Sequence, residues 1–266
     1  MSELDGYVAL VTGGGRGLGA AAAQALAEAG ADVAVLGRSA APLDAIERAI
    51  GERGRQSVSV VADVASWEQA QVAVAKVEQA LGPIAILVNN AGIVSALGPL
   101  AEVDPAAWAR DLAVDLNGPF NCARAVMAGM IKRGWGRILN VTSGAATNPM
   151  RGAAAYSVAK AGLNVLTRIQ AMELEGTGVV PIAVSPGMID TDMQAEMRAN
   201  PIAELDYFRE AHANGWLRPA SEPAALIRWL CGPDGEAFAG EVVAVGAPEI
   251  RARVGLPPMP AQPPRS

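Results

Sequence analysis

Thr12-Gly13-Gly14-Gly15-Arg16-Gly17-Leu18-Gly19, running straight into Ala20-Ala21-Ala22-Ala23, is the stretch that decides the fold. It follows an apolar, strand-like run over 7–12 and opens an Ala-rich segment over 18–29 with helical composition. A strand, a glycine-rich turn and a helix start form the context in which backbone N–H groups bind phosphate. Gly13 permits the tight turn. Gly17 lets the backbone approach a pyrophosphate, and Gly19 lets the helix pack closely on the sheet. The helix N-terminus adds free N–H groups and a partial positive charge. Alone, such a turn is also compatible with an ordinary flexible loop.

Working outward, the alternation repeats. Apolar runs predict strands over 7–12, 32–36, 57–62, 84–89, 137–142, 179–185 and 241–245. Helical patterns lie near 18–29, 40–53, 66–81, 104–132, 153–175 and 222–231. Ile84-Ala85-Ile86-Leu87-Val88 is apolar without a break, as suits a parallel strand covered on both faces. The expected fold is α/β: a Rossmann-type doubly wound parallel sheet of about seven strands with helices on both faces. No linker or repeat interrupts 1–256, which therefore reads as one dinucleotide-binding and catalytic domain. Pro181 lies inside the sixth strand and removes a ladder donor. It predicts either an irregular strand or a register that leaves the position unpaired. Five prolines in 257–266 predict a flexible tail.

The net charge of −6 argues against general affinity for nucleic acid or anionic membrane. Two cysteines, Cys122 and Cys231, and a single histidine, His212, cannot supply a Cys/His metal site. No apolar stretch reaches membrane-spanning length. The acidic Met1-Ser2-Glu3-Leu4-Asp5 lacks the pattern of a signal peptide, so the cytoplasm is expected.

The second strand ends in Val35-Leu36-Gly37-Arg38-Ser39. An acidic residue there would bind the ribose 2′-OH of NAD, but Gly37 stands in its place. A carboxylate would repel a 2′-phosphate, whereas the Arg38 guanidinium offers it a forked, charge-assisted contact. Arg16 can flank the same phosphate. A hydrogen bond to a charged group contributes roughly 1.5–3 kcal/mol, which gives about one to two decades of preference. NADP(H) is the expected cofactor; the bland alternative leaves both arginines as solvated surface charges. Asp63, after the third strand, also fits a helix N-terminal cap.

Tyr156-Ser157-Val158-Ala159-Lys160 lies in a helical pattern. Positions i and i+4 share one face, so phenol and ammonium point the same way. The positive charge favours phenolate and so lowers the tyrosine pKa, as proton transfer requires. Ser143 ends the fifth strand, where ligands bind in such sheets, and can donate to a substrate oxygen as charge develops. A chance occurrence of this Ser-Tyr-x-x-x-Lys spacing has odds of roughly 0.001.

These motifs, with Asn89-Asn90-Ala91-Gly92 after the fourth strand and Pro186-Gly187-Met188-Ile189-Asp190-Thr191 after the sixth, resemble the short-chain dehydrogenase/reductase family. The resemblance covers residues 7 to about 192, with some similarity to 3-oxoacyl reductases and sepiapterin reductase-like members. It implies that Tyr156 is the general acid/base, that Lys160 holds the nicotinamide ribose, and that Ser143 orients the carbonyl. It implies a cofactor site of Thr12, Gly13, Gly15, Arg16, Gly17, Leu18 and Gly19, then Arg38, Ser39, Asp63 and Val64. Asn90, Ala91 and Gly92 complete it with Pro186, Gly187, Ile189 and Thr191. It also implies a homo-oligomer, dimer or tetramer, built through the long helices.

Two departures stand out. The family pattern Asn-Leu-x-Gly-x-Phe reads Asp115-Leu116-Asn117-Gly118-Pro119-Phe120. Asn117 cannot take over, because two residues along a helix turn about 200°. Asp115 is placed in the catalytic set, either supporting Lys160 or weakening a proton relay. Near the C-terminus, Val245-Gly246-Ala247-Pro248 stands where many reductases of the family carry Gly-Gly.

Residues 193–218 predict a helical flap carrying Met193, Met197, Ile202, Leu205, Tyr207, Phe208 and Trp216. Such a wall favours a medium-sized carbonyl of limited charge; a subunit contact is the other reading. His212 is not expected in catalysis. The leading expectation is an NADPH-dependent carbonyl reductase, including 3-oxoacyl-type chemistry, acting on a small-molecule carbonyl or alcohol. The alternatives are NADP+-dependent alcohol oxidation and a non-catalytic dinucleotide-binding regulator.

Overall fold

β1 (Val8–Thr12) is buried at every position and lies at the centre of a seven-stranded sheet. A computed structural model describes residues 3–200 and 205–259. The sheet order is β3-β2-β1-β4-β5-β6-β7, with every pairing parallel. The other strands are β2 (Asp32–Gly37), β3 (Ser57–Val61), β4 (Ile84–Asn89), β5 (Gly136–Val141), β6 (Val179–Ser185) and β7 (Val242–Ala244). Val11 pairs with Val35 on one side and Val88 on the other. The chain therefore winds outward in both directions from β1 and β4. That reversal opens a crevice at the carboxyl ends of these strands, which is where ligands bind in doubly wound sheets.

Successive residues point to opposite faces, so one strand feeds two cores. Ala9 and Val11 pack on one face with Ala22 and Leu26 of α1 (Gly17–Glu28) and with Ile227 and Leu230 of α9 (Ser221–Cys231). Val8 and Leu10 pack on the other face with Ala73 and Val77 of α3 (Trp67–Leu81) and with Cys122 and Val126 of α5 (Gly118–Arg133). Each fully buried Val or Leu among them contributes roughly 1.5–3 kcal/mol. α2 (Ala40–Gly51) follows β2, and α10 (Pro248–Val254) is a short C-terminal helix that the sequence pattern does not mark.

The helix expected over 104–132 is not continuous. α4 (Pro105–Leu112) starts at Asp104, whose carboxylate accepts the Ala106 and Ala107 N–H groups. A π turn, Ala113–Asn117, then joins it to α5, with the Gly118 N–H reaching back to the Ala113 carbonyl. Pro119 is the physical reason. It has no N–H, so it cannot make the usual bond to the carbonyl of residue 115.

Pro181 sits in a regular β6, opposite Ile138 of β5. Its carbonyl accepts the Gly240 N–H, so its missing donor faces the β7 side. Pairing with β7 begins only at Ala183. The register therefore leaves the proline nitrogen unpaired at no cost to the ladder.

α6 (Ala154–Glu173) is fixed over the sheet by buried amides. Asn140 of β5 donates to Thr167 Oγ1 (2.9 Å) and Gln170 Oε1 (3.0 Å), and Asn89 of β4 donates to Asn140 Oδ1 (2.9 Å). This network sets the position of the helix that carries Tyr156 and Lys160. The expected flap resolves into α7 (Asp192–Ala199) and α8 (Asp206–Ala213), while Ile202 lies outside the described residues. Of the proline-rich tail, 257–259 have no regular structure and 260–266 lie outside the described residues.

Candidate active site

The crevice above β1 and β4 is a cleft of about 1260 Å³. One end is made of backbone. Gly13 and Gly17 adopt positive φ (63° and 53°), which favours glycine, and α1 begins at Gly17 with its N-terminus toward the cleft. Gly19 stands behind the surface: a Cβ there would collide with the Gly13 carbonyl and the Asn90 amide. Thr12 also stands behind it. Its Oγ1 donates to the Val88 carbonyl (3.3 Å) and accepts the Asn90 and Ala91 N–H groups (both 3.0 Å). Asn90 Nδ2 donates to the Thr12 carbonyl (2.9 Å). Thr12 and Asn90 thus knot the glycine turn to the segment after β4.

Gly13, Gly15, Arg16, Gly17, Leu18, Arg38, Ser39, Asp63 and Val64 line this end, and Asn90, Ala91, Gly92, Pro186, Gly187, Ile189 and Thr191 continue the lining toward the reaction centre. Arg38 is exposed at the rim. Arg16, on the same rim, forms an exposed ion pair with Asp192 (3.0 Å). Asp63 does not cap α3, because Ser66 does, accepting the Gln69 N–H. Partial burial works against the Asp63 carboxylate, but hydrogen bonds from Arg110 and the Ala65 N–H hold it below its ordinary range. The glycine cradle and the helix N-terminus fit the phosphates of a dinucleotide.

At the other end Tyr156, Lys160 and Ser143 meet on the cleft wall. Lys160 Nζ lies 5.5 Å from the Tyr156 ring centre and donates to the Val141 carbonyl (3.0 Å). Ser143 Oγ accepts the Ala145 N–H (3.2 Å). Burial pushes the Tyr156 phenol up; Lys160 opposes this, Asp115 adds to it, and a hydrogen bond with Ser143 opposes it. The net direction is upward, so the lysine does not by itself bring the phenol down as the sequence suggested. Asp115 is fully buried and does not line the cleft. Its Oδ1 accepts the Ile93 N–H (2.8 Å), and its Oδ2 lies 3.8 Å from Lys160 Nζ. Burial raises its pKa to about 6. Asn117 is exposed, as the rotation argument required.

Met197, Leu205 and Phe208 of the flap form an apolar cluster with Val94, Leu97, Met150, Met188, Met193 and Tyr207, and Met193, Met197, Tyr207 and Phe208 of the flap line the cleft. Trp216 lines the cleft, and His212 is exposed and does not. Pro42, Leu43, Gln194 and Met259 also line it and were missed. Pro42 and Leu43 follow Arg38 closely enough to have been found; nothing in the sequence marks Met259.

The short chain dehydrogenase family model matches residues 7–202. The chain is 36% identical over 246 residues to galactitol 2-dehydrogenase of Cereibacter sphaeroides, covering 91% of this chain and 94% of that protein. It is 35% identical over 236 residues to a 3-oxoacyl-[acyl-carrier-protein] reductase of Pseudomonas aeruginosa, covering 89% and 94%. Among solved structures, a gluconate 5-dehydrogenase from Burkholderia cenocepacia in complex with NADP and tartrate matches with a TM-score of 0.83 at 30% identity, covering 91% and 94%. The chain belongs to the short-chain dehydrogenase/reductase family and is an oxidoreductase that binds a nicotinamide dinucleotide. Among the described residues, no helix is long and apolar enough to cross a membrane.

Proposed function

We propose that the chain is an NADP(H)-dependent carbonyl reductase acting on a ketone or 3-oxoacyl-type carbonyl. The observation that carries this reading is the meeting of Tyr156, Lys160 and Ser143 at one end of a cleft whose other end is the glycine cradle. When bound, the dinucleotide supplies the hydride that reduces the carbonyl carbon. Ser143 donates to the carbonyl oxygen, and Tyr156 delivers its proton to that oxygen. Lys160 holds the nicotinamide ribose, and Arg38 the 2′-phosphate. The NADP in the gluconate 5-dehydrogenase complex supports the cofactor choice. The similarity to galactitol 2-dehydrogenase favours a second reading, alcohol oxidation with NADP+. A non-catalytic regulator is disfavoured, because Tyr156 and Lys160 are both in place.

Replacing Tyr156→Phe should lower kcat for NADPH-dependent ketone reduction by about 10²–10⁴-fold, with NADPH affinity, read by fluorescence titration, nearly unchanged. A near-normal rate would remove Tyr156 from this role. We also propose a homo-oligomer. α6 exposes Val158, Val165, Ile169 and Met172, and α5 exposes Phe120 and Ile131. Light scattering that reads a monomer would sink that proposal.

A further inference from the structure

We propose that Asp115 is a positioning residue that acts through Lys160: its buried carboxylate offsets the ammonium and keeps the Tyr156 phenol protonated, which suits the site to giving a proton rather than taking one. The inference rests on the carbonyl-reductase reading and deepens it by naming the half-reaction that the site favours.

The geometry is specific. Asp115 comes from the π turn, where Pro119 widens the helix, and it is fully buried. Its Oδ1 is used by the Ile93 N–H, while Oδ2 has no hydrogen-bond partner among the described residues and lies 3.8 Å from Lys160 Nζ. Lys160 is itself buried, and its ammonium donates to the Val141 carbonyl. The groups facing Tyr156 are Lys160 from α6, Asp115 from the π turn and Ser143 from the end of β5. Those facing Asp115 are Lys160, the Ile93 N–H and Asp111, one helical turn back in α4. An ammonium alone would draw the phenol toward phenolate. A carboxylate beside it cancels part of that pull; burial is the main cause that holds the Tyr156 phenol up, and Asp115 adds to it against Lys160 and Ser143. In carbonyl reduction the phenol O–H bond breaks, its proton passes to the substrate oxygen, and the phenolate remains until it is reprotonated. A phenol kept protonated at neutral pH is ready for that step.

The test is Asp115→Asn, an isosteric change that keeps an acceptor for Ile93. Phenolate absorbance is titrated in wild type and variant without cofactor, with Tyr156→Phe in each background isolating the Tyr156 signal from Tyr7 and Tyr207. The expected result is phenolate formation at a pH lower by about one unit or more in the variant. The alkaline limb of the kcat/KM profile for ketone reduction should move the same way. An unchanged or upward-shifted titration overturns the inference. Asp115→Ser, which removes the charge with a smaller side chain, gives the same reading should the amide not fold. If the titration shifts but no ketone is turned over by wild type, the coupling of Asp115 to Tyr156 stands, and the preference for reduction falls with the carbonyl-reductase reading.

Discussion

The two ends of the cleft are built differently. The dinucleotide end is made of backbone: Gly13 and Gly17 in positive φ, the first turn of α1, and a knot in which Thr12 and Asn90 use backbone partners. The flap end is made of side chains, with Met193, Met197 and Phe208 on two short helices and Trp216 just beyond them. Backbone geometry admits few substitutes, whereas apolar side chains of similar volume replace one another at a cost of usually under about 1.5 kcal/mol. One end is therefore fixed in chemistry and the other is open to retuning.

The sharpest way to break this contrast is Gly19→Val. Its side chain would meet the Gly13 carbonyl and the Asn90 amide, so the turn must move. NADPH affinity by calorimetry should fall by about 10-fold or more, as overpacking costs about 1–3 kcal/mol; full affinity would show that the turn yields freely. Arg38→Asp comes next. The ratio of kcat/KM for NADPH over NADH should fall by about one to two decades, and an unchanged ratio would leave Arg38 a surface charge. The smallest effect is expected from Met193→Ala. It should raise KM for a ketone by less than about 10-fold, with NADPH affinity unmoved. Equal losses in both would mean that the two ends are not separable.

The same contrast explains what the sequence could reveal. Tyr156 and Lys160 were legible because a spacing of four places them on one helix face whatever surrounds them. The glycine turn was legible because only glycine adopts its backbone readily. Arg16 pairs with Asp192, distant in the chain, a contact that its place in the glycine turn does not reveal. The break at 113–117 had a local cause in Pro119 that periodicity alone passed over. Met259 was invisible, since reaching the cleft depends on how α10 and the chain after it fold back.

That return path hangs on one side chain. Arg251 is almost fully buried, donates to Glu222 (2.9 Å) and the Val245 carbonyl (3.2 Å), and binds the Pro257 carbonyl (2.5 Å). Breaking a buried pair by losing one partner typically costs about 3–5 kcal/mol. A chain shortened before residue 251 would therefore shed a fastening of α9 along with its last helix, so trimming this terminus is a change to the interior.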